Sequence, residues 1–234
     1  AACAAMTDTA ETTSLRPTRA AGWPVLLGFF VVHTTVWIAL VRLVPGDDFV
    51  DYDDLGALGT PWMRQFVIAL LAVLALQVAF AGRLGWWDGV LRERMPARWW
   101  MWIPVALVVL AALGTLVADG LSDAPDHYWV GMTLTMVLVG TTEELSFRGI
   151  LLVGARRLVD ERRAWLVSSA LFGLFHLPNA ILGQSVALSI RQVVMTAVSG
   201  SAVDCLRRAG GRLARCIVLH AAYDWCVIQS NVLG

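Results

Sequence analysis

The chain is short of charge and contains no lysine. Of its 234 residues, 15% are charged and 58% are hydrophobic, whereas soluble proteins have about 25% charged residues. This composition excludes a disordered chain, which needs low hydrophobicity and a high net charge, and it argues against a soluble globular protein. The net charge is zero, with 18 basic and 18 acidic residues, whereas a nucleic-acid-binding protein would be basic overall.

The sequence also lacks the motifs of several classes of site. Its four cysteines (Cys3, Cys205, Cys216 and Cys226) form no C-x-x-C pair, which argues against disulfides and against a structural zinc site. No G-x-S-x-G motif is present, so a serine nucleophile of that type has no support. The first residues, as far as Arg19, are polar and lack the apolar region of a cleaved signal peptide.

The chain has long apolar segments instead. A helix needs about 20 mostly apolar residues to cross a bilayer, and seven segments approach this length. We therefore expect an all-α fold, a multi-pass transmembrane helical bundle. A polar cytoplasmic tail (1–22) would precede a single integral membrane domain (23–234). The predicted spans are Trp23–Val44, Pro61–Ala81, Trp99–Val117, Tyr128–Gly154, Ala164–Leu182, Ser185–Cys205 and Leu213–Leu233.

The arginines alternate between the predicted loops. Fourteen of the 18 lie in the N-terminal tail and in the second, fourth and sixth loops, whereas the first and third loops carry aspartates and no arginine. Because cytoplasmic loops are rich in basic residues, this pattern places the N-terminus in the cytoplasm and the C-terminus on the other side. The alternation also supports seven spans. The Asp-rich first loop (47–54) is expected to be a solvated connection.

Several ionisable residues remain inside the predicted spans. In hydrocarbon such groups cost several kcal/mol unless they are paired or face water, and they commonly mark functional sites. A helical rise of about 1.5 Å per residue places the groups of the fourth, fifth and seventh spans at a similar depth, toward the cytoplasmic half. We therefore expect them to form one site. The candidate ionisable residues inside the spans are Glu143, Glu144, Arg148, His176, Arg191, Asp204, His220 and Asp224.

Three short motifs contain most of these residues. Glu143–Arg148 reads E-E-x-x-x-R, Phe172–His176 reads F-x-x-x-H, and His220–Asp224 reads H-x-x-x-D. In this order, on separate helices, they resemble the CAAX prenyl protease and bacteriocin-processing family (CPBP, Abi-type) of intramembrane endopeptidases. The resemblance covers about residues 140–224 and implies a protease-like core over about 128–233. It further implies a multi-pass protein of a bacterial plasma membrane.

The resemblance implies catalytic roles for Glu143, His176, His220 and Asp224. Peptide hydrolysis needs an activated water and a site for the developing oxyanion. Glu143 is the implied general base, His176 polarises the same water, and His220 donates to the oxyanion. Many prenyl-protein endopeptidases have Asn at the position that corresponds to Asp224. Because an ionised Asp only accepts hydrogen bonds, we expect Asp224 to orient His220 and to favour its charged form.

Other residues have implied supporting roles. Glu144 and Arg148 are four residues apart on one helix face and can pair, and this pair would orient Glu143. Phe172 is expected to pack rather than to take part in chemistry. Pro178 removes a helix hydrogen bond, so we expect a kink in the fifth helix that admits water. Arg191 is a candidate partner of Asp204 or of the site carboxylates.

Three other interpretations are open. A zinc enzyme could use Glu143, His176 and His220 as ligands, although the H-E-x-x-H helix is absent and we expect no cofactor. A non-catalytic membrane scaffold or bacteriocin-immunity protein could use the same fold. A transporter could use the buried Glu and His residues, although we see no inverted repeat. The expected partners are a membrane-associated protein or peptide substrate and the lipid bilayer, with no nucleic acid.

Overall fold

The computed structural model describes residues 19–42, 61–119 and 126–231, and every regular element in these ranges is helical. The first residues of the tail, Cys3 and the Asp-rich loop lie outside them. A π-helix, Leu145–Leu151, joins α5 to α6, and 3-10 turns occupy Trp99–Met101 and Leu177–Ala180. The α-helices of the described ranges are α1 (Trp23–Arg42), α2 (Pro61–Leu84), α3 (Trp87–Leu91), α4 (Trp102–Asp119), α5 (Asp126–Glu144), α6 (Leu152–Ala155), α7 (Glu161–Leu174), α8 (Val186–Gly210) and α9 (Leu213–Asn231).

Four of the helical segments are long and apolar enough to cross a membrane. They correspond to the first, second, third and sixth predicted spans. Their outer surfaces remain apolar, with Val117 85% exposed and Val198 65% exposed, as expected for a surface that faces lipid rather than water. The four segments are Trp23–Arg42, Phe66–Leu84, Trp99–Ala118 and Val186–Gly210.

The fifth predicted span ends earlier than expected. The predicted helix Ala164–Leu182 is wrong at its C-terminal end, because α7 stops at Leu174 and the chain continues into a 3-10 turn that has Pro178 near its start. Since Pro cannot donate a backbone hydrogen bond, it favours this break. At about 1.5 Å per residue α7 is about 21 Å long, shorter than the hydrocarbon core of about 30 Å. His176 therefore lies in a turn rather than on the helix.

Two helix pairs surround the site: α7 packs along α8, and α5 packs along α9. Glycines permit both approaches. A Cβ atom at Gly140 of α5 would lie 3.0 Å from the carbonyl oxygen of Ile217, and one at Gly173 of α7 would lie 2.5 Å from that of Val193. Small residues at helix contacts let backbones approach closely in membranes. The polar motifs on these four helices are thereby brought together.

The arginine-rich loops meet at one end of the bundle. The N–H of Glu93 donates to the carbonyl of Gly211. Arg156 pairs with Glu93 at 2.7 Å, and Arg208 donates to the carbonyl of Pro96 at 2.6 Å. The second, fourth and sixth loops of the sequence prediction are therefore neighbours in space.

Candidate active site

The two adjacent carboxylates end α5 in different surroundings. Glu144 is fully buried, whereas the Glu143 side chain is 13% exposed and lines a cavity of about 720 Å³. Neighbouring residues on a helix point about 100° apart, which separates the two environments. The π-helix begins directly after this pair, and π-helical segments frequently occur at functional sites.

Arg148, in the π-helix, holds two buried carboxylates. Its Nη1 donates to Glu144 Oε1 at 2.9 Å, and its Nε donates to Asp204 Oδ1 at 3.2 Å. Ser169 donates its hydroxyl to the other oxygen of Asp204 at 3.0 Å. The structure thus contains the Glu144–Arg148 pair that the spacing predicts. It also pairs Asp204 with Arg148, whereas Arg191 is exposed on the cavity wall.

His220 of α9 lies between three carboxylates. Its Nδ1 is 2.6 Å from Glu144 Oε1, and its Nε2 is 3.1 Å from Asp224 Oδ2 and 3.6 Å from Glu143 Oε2. Both ring nitrogens therefore face oxygen atoms that accept hydrogen bonds, and imidazole donates from both nitrogens only when it is protonated. The geometry favours the charged form of His220. Of the Glu144–Arg148 pair, which the sequence predicted to orient Glu143, Glu144 contacts His220 directly.

His176 faces Glu143 from the turn after α7. Its Nδ1 lies 2.9 Å from the carbonyl oxygen of Phe172, so Nδ1 carries the proton and donates to that oxygen. The other nitrogen, Nε2, is then a bare acceptor, and it lies 3.9 Å from Glu143 Oε2. The predicted juxtaposition of Glu143, His176 and His220 is thus present in the structure.

The ring of Phe172 separates these charged and polar groups. The guanidinium carbon of Arg148 lies 4.2 Å from the ring centroid, close enough for a cation–π contact. His176 and His220 approach the same ring with centroids 5.2 Å and 5.8 Å away, nearly at right angles. Phe172 therefore packs against Arg148 and both histidines.

The cavity has two kinds of wall around the catalytic candidates. Glu143, His176, His220 and Asp224 all line it. Helices α1, α2 and α5 contribute an apolar wall, whose residues are Trp37, Phe66, Leu70, Val73, Met136 and Val139. The 3-10 turn, the segment that follows it and α8 contribute a polar wall, whose residues are Asn179, Gln184, Arg191, Gln192, Thr196 and Ser199.

Two polar residues near the site escaped the sequence analysis. His33 of α1 is 1% exposed, lines the cavity and contacts the rings of Phe147 and Phe175. Gln77 of α2 is fully buried and donates to the hydroxyl of Ser146 at 2.9 Å. Each is a polar residue within a long apolar segment, and that contrast in the sequence could have identified both as candidate site residues.

The zinc interpretation does not fit the geometry of the three ligands it needs. Both ring nitrogens of His220 face carboxylate oxygens, and the protonated ring that this geometry favours offers no lone pair to a metal. In the part of the chain that the structure describes, no group of three His, Cys, Asp or Glu side chains is arranged to hold a metal ion.

Comparison with known proteins identifies the segment that carries the site. Residues 125–226 match the model of a family described as Rce1-like, type II CAAX prenyl endopeptidase. No curated protein and no solved structure matches the chain. The matched segment contains all three motifs, and its family is one of proteases that act on membrane-associated proteins. The resemblance indicated by the motifs is confirmed, because residues 125–226 of this chain match the model of the Rce1-like family of type II CAAX prenyl endopeptidases.

Proposed function

We propose that this protein is an intramembrane endopeptidase that hydrolyses membrane-associated substrates with a water activated by Glu143 and His176. The observation that carries the proposal is the position of Glu143 on the cavity wall. Its Oε2 lies 3.9 Å from His176 Nε2 and 3.6 Å from His220 Nε2. The Rce1-like match supports the reaction class. The substrates would be CAAX-type proteins or precursors of bacteriocins and other peptides.

Glu143 acts as the general base in this mechanism. A water placed about 2.8 Å from both Glu143 Oε2 and His176 Nε2 can donate one proton to each atom. Glu143 takes a proton as the water oxygen attacks the carbonyl carbon of the scissile peptide bond. It then returns that proton to the departing amine, so that the peptide C–N bond breaks without a charged leaving group. The hydrogen bond from His176 Nδ1 to Phe172 keeps Nε2 available to the water.

His220 stabilises the oxyanion that forms on the carbonyl oxygen. Its positive charge is balanced by Glu144 and Asp224, and Arg148 in turn balances Glu144. As the substrate carbonyl enters, the Nε2–H turns from Asp224 toward the developing oxyanion. A preorganised charged donor in a site shielded from water is the arrangement that stabilises such an intermediate.

The topology belongs to the same proposal. We place seven spans in a bacterial plasma membrane, with the N-terminus in the cytoplasm and the site in the cytoplasmic half of the bilayer. A membrane-associated peptide would then reach the cavity from the cytoplasm or laterally from the bilayer.

Replacing Glu143 tests the function directly. Loss of a general base lowers the rate about 10²- to 10⁴-fold, so Glu143→Gln should remove the new peptide N-termini that the wild type creates in membranes. N-terminal peptide profiling of membranes from cells that express each variant measures this. Asp160→Asn, which removes an exposed carboxylate, is the matched control and should retain activity.

Other outcomes of this experiment separate the alternatives. Undiminished cleavage by Glu143→Gln would sink the assignment of the base. A cellular effect that survives Glu143→Gln, with no cleavage by the wild type, would favour the non-catalytic scaffold. Activity of the purified protein should persist after stringent chelation, and its loss with recovery on adding zinc would restore the metal mechanism.

A further inference from the structure

A second cavity, of about 770 Å³, lies where the arginine-rich loops meet, and the proposed hydrolysis does not use it. It is formed by the C-terminal end of α2, the short helix α3 and the chain around the end of α6. Glycines at positions 82, 85 and 89 form part of its floor. Its charged lining residues are Arg92, Arg94, Arg156, Arg157, Asp88 and Glu93.

Two of its four arginines are neutralised within the protein. Arg94 lies 2.7 Å from Asp88. Arg156 lies 2.7 Å from Glu93 and 2.7 Å from a carboxylate just outside the cavity. Burial raises the pKa of Glu93, but a backbone hydrogen bond and the charge of Arg156 outweigh it and hold that pKa below its ordinary value. Glu93 therefore stays ionised at neutral pH and remains the partner of Arg156.

The other two arginines give the cavity its surplus of positive charge. Arg92 and Arg157 are exposed, and neither has a carboxylate within ion-pair distance among the residues that the structure describes. The guanidinium carbon of Arg157 lies 4.7 Å from the ring centroid of Trp86, whose indole is 1% exposed and donates to the carbonyl of Arg19. Arg157 is therefore held on a rigid aromatic surface, with donors left for an anion.

The position of the cavity indicates where that anion comes from. Helix α2 is a candidate membrane span that ends at Leu84, and the cavity begins at that end. A site at the end of a span lies at the membrane–water boundary, which is the depth of phospholipid phosphates. Trp87, partly buried in its lining, is a residue type enriched at this depth. Basic pockets between membrane helices commonly bind anionic lipid headgroups.

We propose that this cavity binds the headgroup of an anionic phospholipid, with Arg92 and Arg157 contacting its phosphate. A surface arginine contributes about 1 kcal/mol to the binding of anionic lipid, which corresponds to about fivefold in affinity. Replacing both arginines should therefore weaken binding about 25-fold. The proposal is independent of the peptidase activity.

Native mass spectrometry of the full chain, titrated with phosphatidylglycerol or phosphatidylcholine, tests the proposal. The wild type should retain phosphatidylglycerol in preference to phosphatidylcholine, and R92Q/R157Q should lose that preference. Arg162→Gln is the matched control, because it removes an exposed arginine of α7 that does not line the cavity. Since Arg157→Gln also removes the stack on Trp86, Arg92→Gln alone provides a second variant, with a loss of about fivefold expected.

Three results would overturn the proposal. One is a wild type that retains the two lipids equally. Another is an equal loss of phosphatidylglycerol in Arg162→Gln and in Arg92→Gln, which would show a general effect of interfacial charge. The third is displacement of the lipid by inorganic phosphate alone, which would identify a soluble anion as the ligand.

Discussion

Arg148 is the residue on which the buried charges of the site depend. Its side chain is fully buried and pairs with Glu144 and Asp204, so its loss would leave Asp204 without its cation and Glu144 with His220 as its one remaining partner among the described residues. Removing one partner of a buried ion pair costs about 3–5 kcal/mol, and we expect Arg148→Met to lower the free energy of unfolding by about that amount. Thermal and denaturant unfolding in detergent, with the helix content followed by circular dichroism, measures the change.

The control for this prediction is an ion pair at the surface. Arg163 and Asp160 lie 3.3 Å apart with both side chains mostly exposed, and such pairs contribute about 1 kcal/mol or less. Arg163→Met should therefore leave the unfolding curve nearly unchanged. Equal destabilisation by the two variants would show that the buried ion pairs of Arg148 contribute no more to the free energy of unfolding than an exposed ion pair does.

Asp224 allows the charge on His220 to be tested separately from its position. In Asp224→Asn the side-chain oxygen can still accept from His220 Nε2, which lies 3.1 Å from the carboxylate, but the negative charge is lost. Hydrogen bonds to charged groups contribute about 1.5–3 kcal/mol and neutral ones about 0.5–1.5 kcal/mol, so we expect loss of the charge alone to lower kcat about 5- to 12-fold, with little change in KM. Initial rates on a fluorogenic peptide that the wild type cleaves measure both constants. Full activity in Asp224→Asn would rule out an obligatory charged pair.

At the scale of elements, the contact of α7 with α8 sets the position of His176. A Cβ atom at position 173 would meet the Val193 carbonyl oxygen at 2.5 Å, and because this is backbone, the helices would have to separate. We expect Gly173→Ala to cost about 1–3 kcal/mol of stability and to reduce peptidase activity. Gly114→Ala is the matched control, since nothing lies within 4 Å of a Cβ there, and this change should stabilise α4 by about 0.5–1 kcal/mol. Unfolding curves of both variants test this prediction. Similar changes in the free energy of unfolding for the two variants would contradict the close contact at Gly173.

The helices could be predicted from the sequence more fully than the contacts between them. Apolar length located the helices, because a span must be long and apolar to cross hydrocarbon. The sequence predicted a kink at Pro178 but not that α7 already stops at Leu174, since hydropathy does not sense where a helix turns inside a protein. The link from Arg148 to Asp204 joins residues far apart in sequence, and no local spacing predicts such a contact. His33 was missed because a single histidine barely changes the mean hydropathy of α1.

At the scale of the whole molecule, the net charge is zero, but three groups of charged residues lie at different positions. The arginine-rich loops meet at one end, where Glu93, Arg156, Glu161 and Arg208 form a chain of ion pairs. The aspartates of the first loop are separated from them along the chain. A third group, which includes Glu144, Arg148 and Asp204, is buried around His220. Because placing ionisable groups in hydrocarbon costs free energy, this third group is the one for which we propose a chemical function.

The first two groups predict the topology of the protein in the membrane. Basic loops are retained in the cytoplasm, so a cysteine replacing Arg163 in the fourth loop should be inaccessible to a membrane-impermeant maleimide added to intact cells. A cysteine replacing Asp51 in the first loop should react. With Cys3→Ser as background, the native Cys205, Cys216 and Cys226 are buried and should give little signal. Arg94→Cys, in the second loop, should behave as Arg163→Cys does, and both should react once the membrane is permeabilised.

Labelling of Arg163→Cys in intact cells, with Asp51→Cys protected, would show that the protein has the opposite orientation in the membrane. Labelling of Arg163→Cys and Arg94→Cys from opposite sides would mean that the number of spans between them is odd, which the seven-span arrangement does not allow.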